Sequence, residues 1–182
     1  MLSMKSLFFC YLVSFLLSHL FAQETQTTSF LAPRGEITPH EDNKKMILDF
    51  YRAMTKKDLK TIYSLLSENY TMKSFNDQSV VNPGQYDAFS KNLDARIKAL
   101  HNSFPDFKIE VIEMISEGKK TLALVKLTGK HKGSFLGLEP TEKSIIIHIM
   151  SLFSIESGVI TEIQEIWNEL DVMKQLGHIL LR

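Results

Sequence analysis

The sequence predicts an α+β fold in which helices cover one face of a curved antiparallel sheet. Three observations carry this. Apolar residues recur at helical spacing in three early segments, the period drops to two after residue 106, and the period-two segments form two pairs, each joined by a turn-forming sequence. Helices grouped ahead of a meander of strands are the pattern of an α+β layer structure.

Residues 1–22, MLSMKSLFFCYLVSFLLSHLFA, hold one lysine and then an apolar run that ends at Ala22 before the polar QETQTT. This is the pattern of a secretory signal peptide, so the chain is expected to be exported after cleavage. A run of this length is also compatible with a retained membrane anchor. Cleavage removes Cys10, the single cysteine, and leaves a mature chain with neither a disulfide nor a thiol nucleophile. Residues 23–40 lack periodicity and read as a flexible lead-in. Residues 41–182 then form one domain with one core.

Within that domain Met46, Ile47, Phe50, Tyr51 and Met54 give Glu41–Thr55 a helical apolar face. Asp58 is placed to cap a shorter helix with Leu59, Ile62, Leu65 and Leu66 on its apolar side. Asn69–Phe75 reads as a short strand and 76–84, with Pro83-Gly84, as a loop. A third helix is expected from Gln85 to Asn102, with Tyr86, Phe89, Leu93, Ile97 and Leu100 on one face, closed by Phe104-Pro105-Asp106. Phe107–Ser116 and Thr121–His131 alternate as strands around Glu117-Gly118-Lys119. Lys143–Ile155 and Val159–Trp167 form a second hairpin around Ser157-Gly158.

Period two places Ile145, Ile147, Ile149, Ser151, Phe153 and Ile155 on one face of the first strand of this hairpin, and Ile146, His148, Met150, Leu152 and Ser154 on the other. Both faces are apolar, so a cover on each side is expected, helices on one and a partner sheet or subunit on the other. On the returning strand Val159, Thr161, Ile163, Glu165 and Trp167 share a face, which puts a carboxylate between two large hydrophobes. An unpaired buried charge is costly, so Glu165 must be solvated in a pocket, paired, or protonated. A turn at Ser157-Gly158 pairs positions summing to about 315, which sets Ser151 opposite about 164 and close to Glu165. Ile149, Phe153, Ile163 and Trp167 would wall a pocket around this acid, a desolvated setting suited to proton transfer. A structural role remains open beside that one, with Glu165 bonded to a backbone amide or to a lysine at the mouth of the barrel.

The 21 basic and 21 acidic residues balance, and nucleic acid is not an expected partner. Metal-ligand spacing, nucleophile elbow, phosphate loop and dinucleotide fingerprint are all missing from the sequence, so no metal or cofactor is implied.

The phrases SFPDFKIEVIEMISEGKK at 103–120, GKHKGSFLGLEPTEK at 129–143, SGVITE at 157–162 and QLG at 175–177 resemble the SnoaL-like polyketide cyclase (ester cyclase) family of the nuclear transport factor 2-like superfamily. The resemblance covers about residues 44–177. It implies a cone-shaped, cystatin-like α+β barrel with the sheet wrapped on three N-terminal helices. It also implies cofactor-independent cyclase, isomerase or lyase chemistry on a small hydrophobic carbonyl compound. A general acid/base three places after the glutamate that follows the last hairpin turn is implied too, which is Glu165 here, after Glu162. Where the family's enzymes carry a histidine one strand over, this chain has Ser151; Gln164 stands for the usual tryptophan, and Lys73 for a histidine after the first strand. His131, at a strand end in GKHKGSF, is a further candidate at the cavity, more readily explained by an ordering hydrogen bond. Epoxide-hydrolase relatives need an Asp-Arg-Asp cluster, and the domain's arginines before the terminal one, Arg52 and Arg96, both fall on expected helices. The competing reading is a secreted, non-catalytic module that binds a small molecule in the same cavity. A polar group beside Glu165 able to stabilise an enolate favours the enzyme, and a cavity walled only by hydrocarbon favours the binder.

Overall fold

The structure, a computed structural model, describes residues 39–75 and 92–178. The expected signal peptide, nearly all of the lead-in, the loop at 76–84 and the first turns of the third expected helix lie outside them.

Helix α1 (Pro39–Lys56) carries Glu41 and Asp42 in its first turn and Lys56 in its last, charges that complement the helix dipole. It buries Ile47, Phe50, Tyr51, Ala53 and Met54. Lys57, at φ +56, ends it. Asp58 then caps α2 (Leu59–Leu65) by accepting from the Thr61 amide at 3.1 Å. Strand β1 (Leu66–Ser74) follows, longer at its start than Asn69–Phe75. Helix α3 spans Leu93–Ser103. The expected run from Gln85 does not continue into it, because Asn92 is extended and its side chain caps the Ala95 amide, a helix start.

Strands β2 (Lys108–Glu117), β3 (Lys120–Lys130), β4 (Ser144–Glu156) and β5 (Val159–Trp167) complete the sheet before helix α4 (Glu169–Leu176). The order is β1-β5-β4-β3-β2. Neighbours are antiparallel except β1 and β5, which run parallel. The β2–β3 and β4–β5 pairs follow from tight turns and β3–β4 is joined by the longer loop 131–143, whereas β1 and β5 are separated by most of the domain and no hairpin sets their direction. Ser157 at φ +50 and Gly158 at φ +78 give the β4–β5 turn two left-handed residues, as a two-residue hairpin loop requires.

The odd-numbered face of β4 is buried, as its period predicts, while Ile146 and Met150 on the even-numbered face are about half exposed. On β5 the alternation breaks. Ile155 pairs with Ile160 but Ser154 pairs with Glu162, so Thr161 is an extra residue, a β-bulge. Ile160, not Val159 or Thr161, is therefore buried with Ile163, Glu165 and Trp167. Beyond the end of β5, the Gln175 side chain takes over its role: its Oε1 accepts from the Ile146 amide at 2.7 Å and its Nε2 donates to the Ile146 carbonyl at 2.9 Å. This docks α4 on the sheet, and Gly177, at φ +82, closes the helix.

The loop after β3 is clamped to the end of α3. The amides of Lys132 and Gly133 donate to the Ser103 carbonyl at 2.8 and 3.2 Å, and Ser103 Oγ donates to the Ser134 carbonyl at 2.6 Å. A Cβ on Gly133 would sit 2.9 Å from the Asn102 carbonyl carbon and 3.2 Å from Ser103 Cα, so the close approach needs glycine.

Candidate active site

Glu165 lies on the inner face of β5, directly opposite Ser151 of β4. The one-residue difference from the expected partner is the work of the bulge: pairs sum to 315 next to the turn and to 316 beyond Thr161. Ser151 Oγ donates to Glu165 Oε1 at 3.1 Å. The other carboxylate oxygen forms an ion pair with the Arg96 guanidinium, contributed by α3. Only 7 % of the Arg96 side chain and 6 % of the Glu165 side chain are exposed, so this is a buried pair and not a surface bridge. Burying either charge alone would cost several kcal/mol, on the order of the effective penalty per buried ion, and each is therefore the condition for the other.

Tyr51, from the apolar face of α1, brings its hydroxyl beside Ser151 and Glu165. Burial, reinforced by the Glu165 charge, pushes its phenol well above the usual tyrosine range, so it stays a protonated donor at neutral pH. Its ring meets Phe50 and Phe153 edge to face at 5.6 and 5.9 Å. Glu165 is thus held from α3 and β4, by Arg96 and Ser151, with the Tyr51 hydroxyl of α1 nearby.

A small cavity opens beside the pair. Among the described residues its walls are Leu100, Leu127, Phe135, Ile147, Ile149 and Trp167, with Arg96 the polar member. Its volume is about 20 Å³, room for a single water. The structure thus brings Ile149 and Trp167 to the cavity and Ser151 to the acid. Phe153 and Ile163 share the buried face, but Phe153 packs among Phe50 and Tyr51, and neither is among those walls. His131 is fully buried in a separate cluster, 5.4 Å from the Phe104 ring and 6.4 Å from Phe135. The Thr141 amide donates to its Nδ1 at 3.3 Å, which orders the loop after β3. Burial lowers the His131 imidazole below its usual range.

Arg96 is the residue that sequence reasoning set aside, because it falls on a helix. The signal was present. Leu93, Arg96, Ile97 and Leu100 follow the i, i+3, i+4, i+7 spacing of an inward face, so the arginine had to point into the core. The cation on a buried helix stripe and the acid on a buried strand face partner one another. Lys73, by contrast, stays at the surface, paired with Glu162 at 3.0 Å. This contact and others hold the Glu162 carboxyl down to about 2. Among the described residues no group of His, Cys, Asp or Glu side chains could hold a metal ion.

No curated protein matches the sequence. Solved structures do resemble the fold. A protein described as a hydroxylase, AclR from Streptomyces galilaeus, has a TM-score of 0.64 and 19% identity over 78% of this chain and 89% of its own. A protein described as a SnoaL-like polyketide cyclase from Jannaschia sp. CCS1 has a TM-score of 0.63 and 21% identity over 80% and 99%. IdmH, described as a polyketide cyclase, from Streptomyces antibioticus, has a TM-score of 0.60 and 20% identity over 74% and 97%. At these identities the likeness speaks for the fold alone. The sequence itself matches the model of the SnoaL-like polyketide cyclases over residues 45–176, nearly all of the α+β domain, and the chain belongs to that family.

Proposed function

We propose that this protein is a cofactor-independent cyclase, isomerase or lyase that moves a proton on a small hydrophobic carbonyl compound. The observation that carries the reading is the buried Arg96–Glu165 pair with its guanidinium on the wall of an otherwise hydrocarbon cavity. Glu165 removes a proton from the carbon next to the carbonyl and returns it elsewhere on the same molecule. Arg96 donates to the carbonyl oxygen as it gains enolate charge. A positioned general base contributes roughly 10²–10⁴-fold, and a donor aimed at the developing oxyanion roughly 10²–10³-fold. Ser151 holds the carboxylate in place and is the positioning group.

One observation favours the competing reading, a non-catalytic module that binds a small molecule. The Glu165 carboxylate, held by Arg96 and Ser151, is not among the described walls of the cavity, and at about 20 Å³, far below the several hundred Å³ of a typical ligand pocket, the cavity takes any guest only by displacing side chains such as Leu100 or Phe135. One experiment separates the two. The protein is incubated in D₂O with a panel of small cyclic and aryl ketones, and loss of the proton next to the carbonyl is followed by NMR. Enzyme chemistry predicts exchange that falls by about a hundredfold or more in folded Glu165→Gln protein. Exchange at the background rate for every ketone, with a small molecule co-purifying in native mass spectrometry, favours the binder.

Export and self-association belong to the same proposal. Export is supported by the apolar run ending at Ala22. A homodimer is supported by the exposed Ile146, Met150 and Ile166 on the outer face of β4 and β5.

A further inference from the structure

A second hollow, distinct from the cavity at Arg96, runs between the C-terminal half of α1 and the first half of β2. Its volume is about 340 Å³, within the range of small-molecule sites. Leu48, Tyr51 and Thr55 of α1 and Ile109 and Val111 of β2 form its sides, with Arg52 and Lys56 along one side. The hollow thus has an apolar bed and a cationic edge.

The charges around it decide what it would hold. Arg52 and Lys56 are one helical turn apart on the same side of α1. Arg52 shares Asp49 with Lys45, at 3.1 and 3.0 Å, so this stretch of α1 sets three cations, Lys45, Arg52 and Lys56, against one carboxylate. Glu110, between Ile109 and Val111 on β2, is on the other face of the strand, paired with Lys126 of β3, so no carboxylate of β2 lines the hollow among the described residues. The local balance is positive although the chain as a whole is neutral.

We propose that this hollow is a binding site for an amphipathic organic anion, an aryl or alkyl carboxylate. Its hydrocarbon lies on Leu48, Ile109 and Val111, and its carboxylate faces Arg52 and Lys56. Among the described residues the site touches the surroundings of Glu165 through Tyr51 alone, shares no wall with the Arg96 cavity, and does not depend on proton transfer at Glu165.

The test uses 2-naphthoate and its neutral analogue 2-naphthamide, titrated into the full chain with methyl-labelled Leu, Ile and Val. Naphthoate is expected to shift the methyls of Leu48, Ile109 and Val111 in a saturable way, and to bind about two- to fivefold more tightly than the amide, the preference that solvent-exposed charge pairs supply. Arg52→Gln/Lys56→Gln should abolish that preference and leave amide binding unchanged; both side chains are exposed, so folding is not at stake. Val111→Trp, which fills the hollow, should remove binding of both. Equal affinity for acid and amide in the native chain would overturn the proposal. So would shifts centred on Leu127, Ile147 and Ile149, which mark the Arg96 cavity instead.

Discussion

Replacing Arg96 by methionine should cost far more than the loss of an ordinary ion pair. At contact and an effective dielectric of about 20, two unit charges attract by roughly 4 kcal/mol. Most of that gain is spent on removing both from water, so the intact pair adds little net stability. Arg96→Met keeps the desolvation of Glu165 and deletes its compensation. With only 6 % of the Glu165 side chain exposed, solvent cannot take over. The expected loss is about 3–5 kcal/mol, a large share of the 5–15 kcal/mol typical of a domain. The double variant Arg96→Met/Glu165→Leu removes both charges at similar volume and should recover most of that loss. Urea unfolding of the native, single and double variants reads this as a coupling energy of at least about 2 kcal/mol. A cost below about 1 kcal/mol for Arg96→Met, or a double variant no better than the sum of the singles, would mean that water reaches the pair. The description of a closed, mutually dependent charge site would then fail.

Three further outcomes are expected. His131 is held neutral in the fold with its imidazole lowered, so below the ordinary histidine value of about 6.5 the unfolded chain gains a proton that the folded chain refuses. The stability that this residue contributes is complete above about pH 6.5 and is lost as the pH falls from there toward the folded value; urea midpoints at pH 7.5 and 5 should differ more for native protein than for His131→Gln. Gly133→Ala forces a Cβ against the α3 backbone and should lower stability by about 1–3 kcal/mol in the same assay, with the loop after β3 losing hydrogen-exchange protection first. If the outer face of β4 and β5 joins two copies, native chain should sediment as a dimer at micromolar concentration and Met150→Lys as a folded monomer; native chain that sediments as a monomer would remove that surface as an interface.

Much of the fold is legible in the residues because each layer has its own period. The two hairpins follow from glycine-containing turns between alternating apolar runs, and α1 and α2 from apolar spacing and the Asp58 cap. The start of α3 was obscured because Tyr86, Phe89 and Leu93 continue the spacing, while Asn92, whose side chain caps the helix, carries the true signal. Glu165 stands out as a charge inside a hydrophobic strand. Its partner does not, because Arg96 is 69 residues away in sequence and no local pattern joins the two. Only the principle that buried charges come in pairs points from one to the other. Tyr51 was visible merely as one apolar position among five on α1, and its hydroxyl acquires meaning only when the helix is laid against β4.

The extra residue at Thr161 gives insertions and deletions very unequal consequences along β5. Counted from the turn alone, Gln164 would stand opposite Ser151 and Glu165 would point away from Arg96; one additional residue before Glu162 reverses that. Loss of Thr161 itself should therefore be absorbed, since Ser154–Glu162 and Ile155–Ile160 become adjacent regular pairs and everything beyond keeps its side. Loss of Gln164, three positions past Thr161, would turn Ile163 or Glu165 outward and strand a guanidinium in the core. A family drifting by single-codon length changes can thus keep its buried acid only if such changes fall on the turn side of residue 162. The number of residues from Glu162 to the acid is as strict a requirement on this strand as the acid itself.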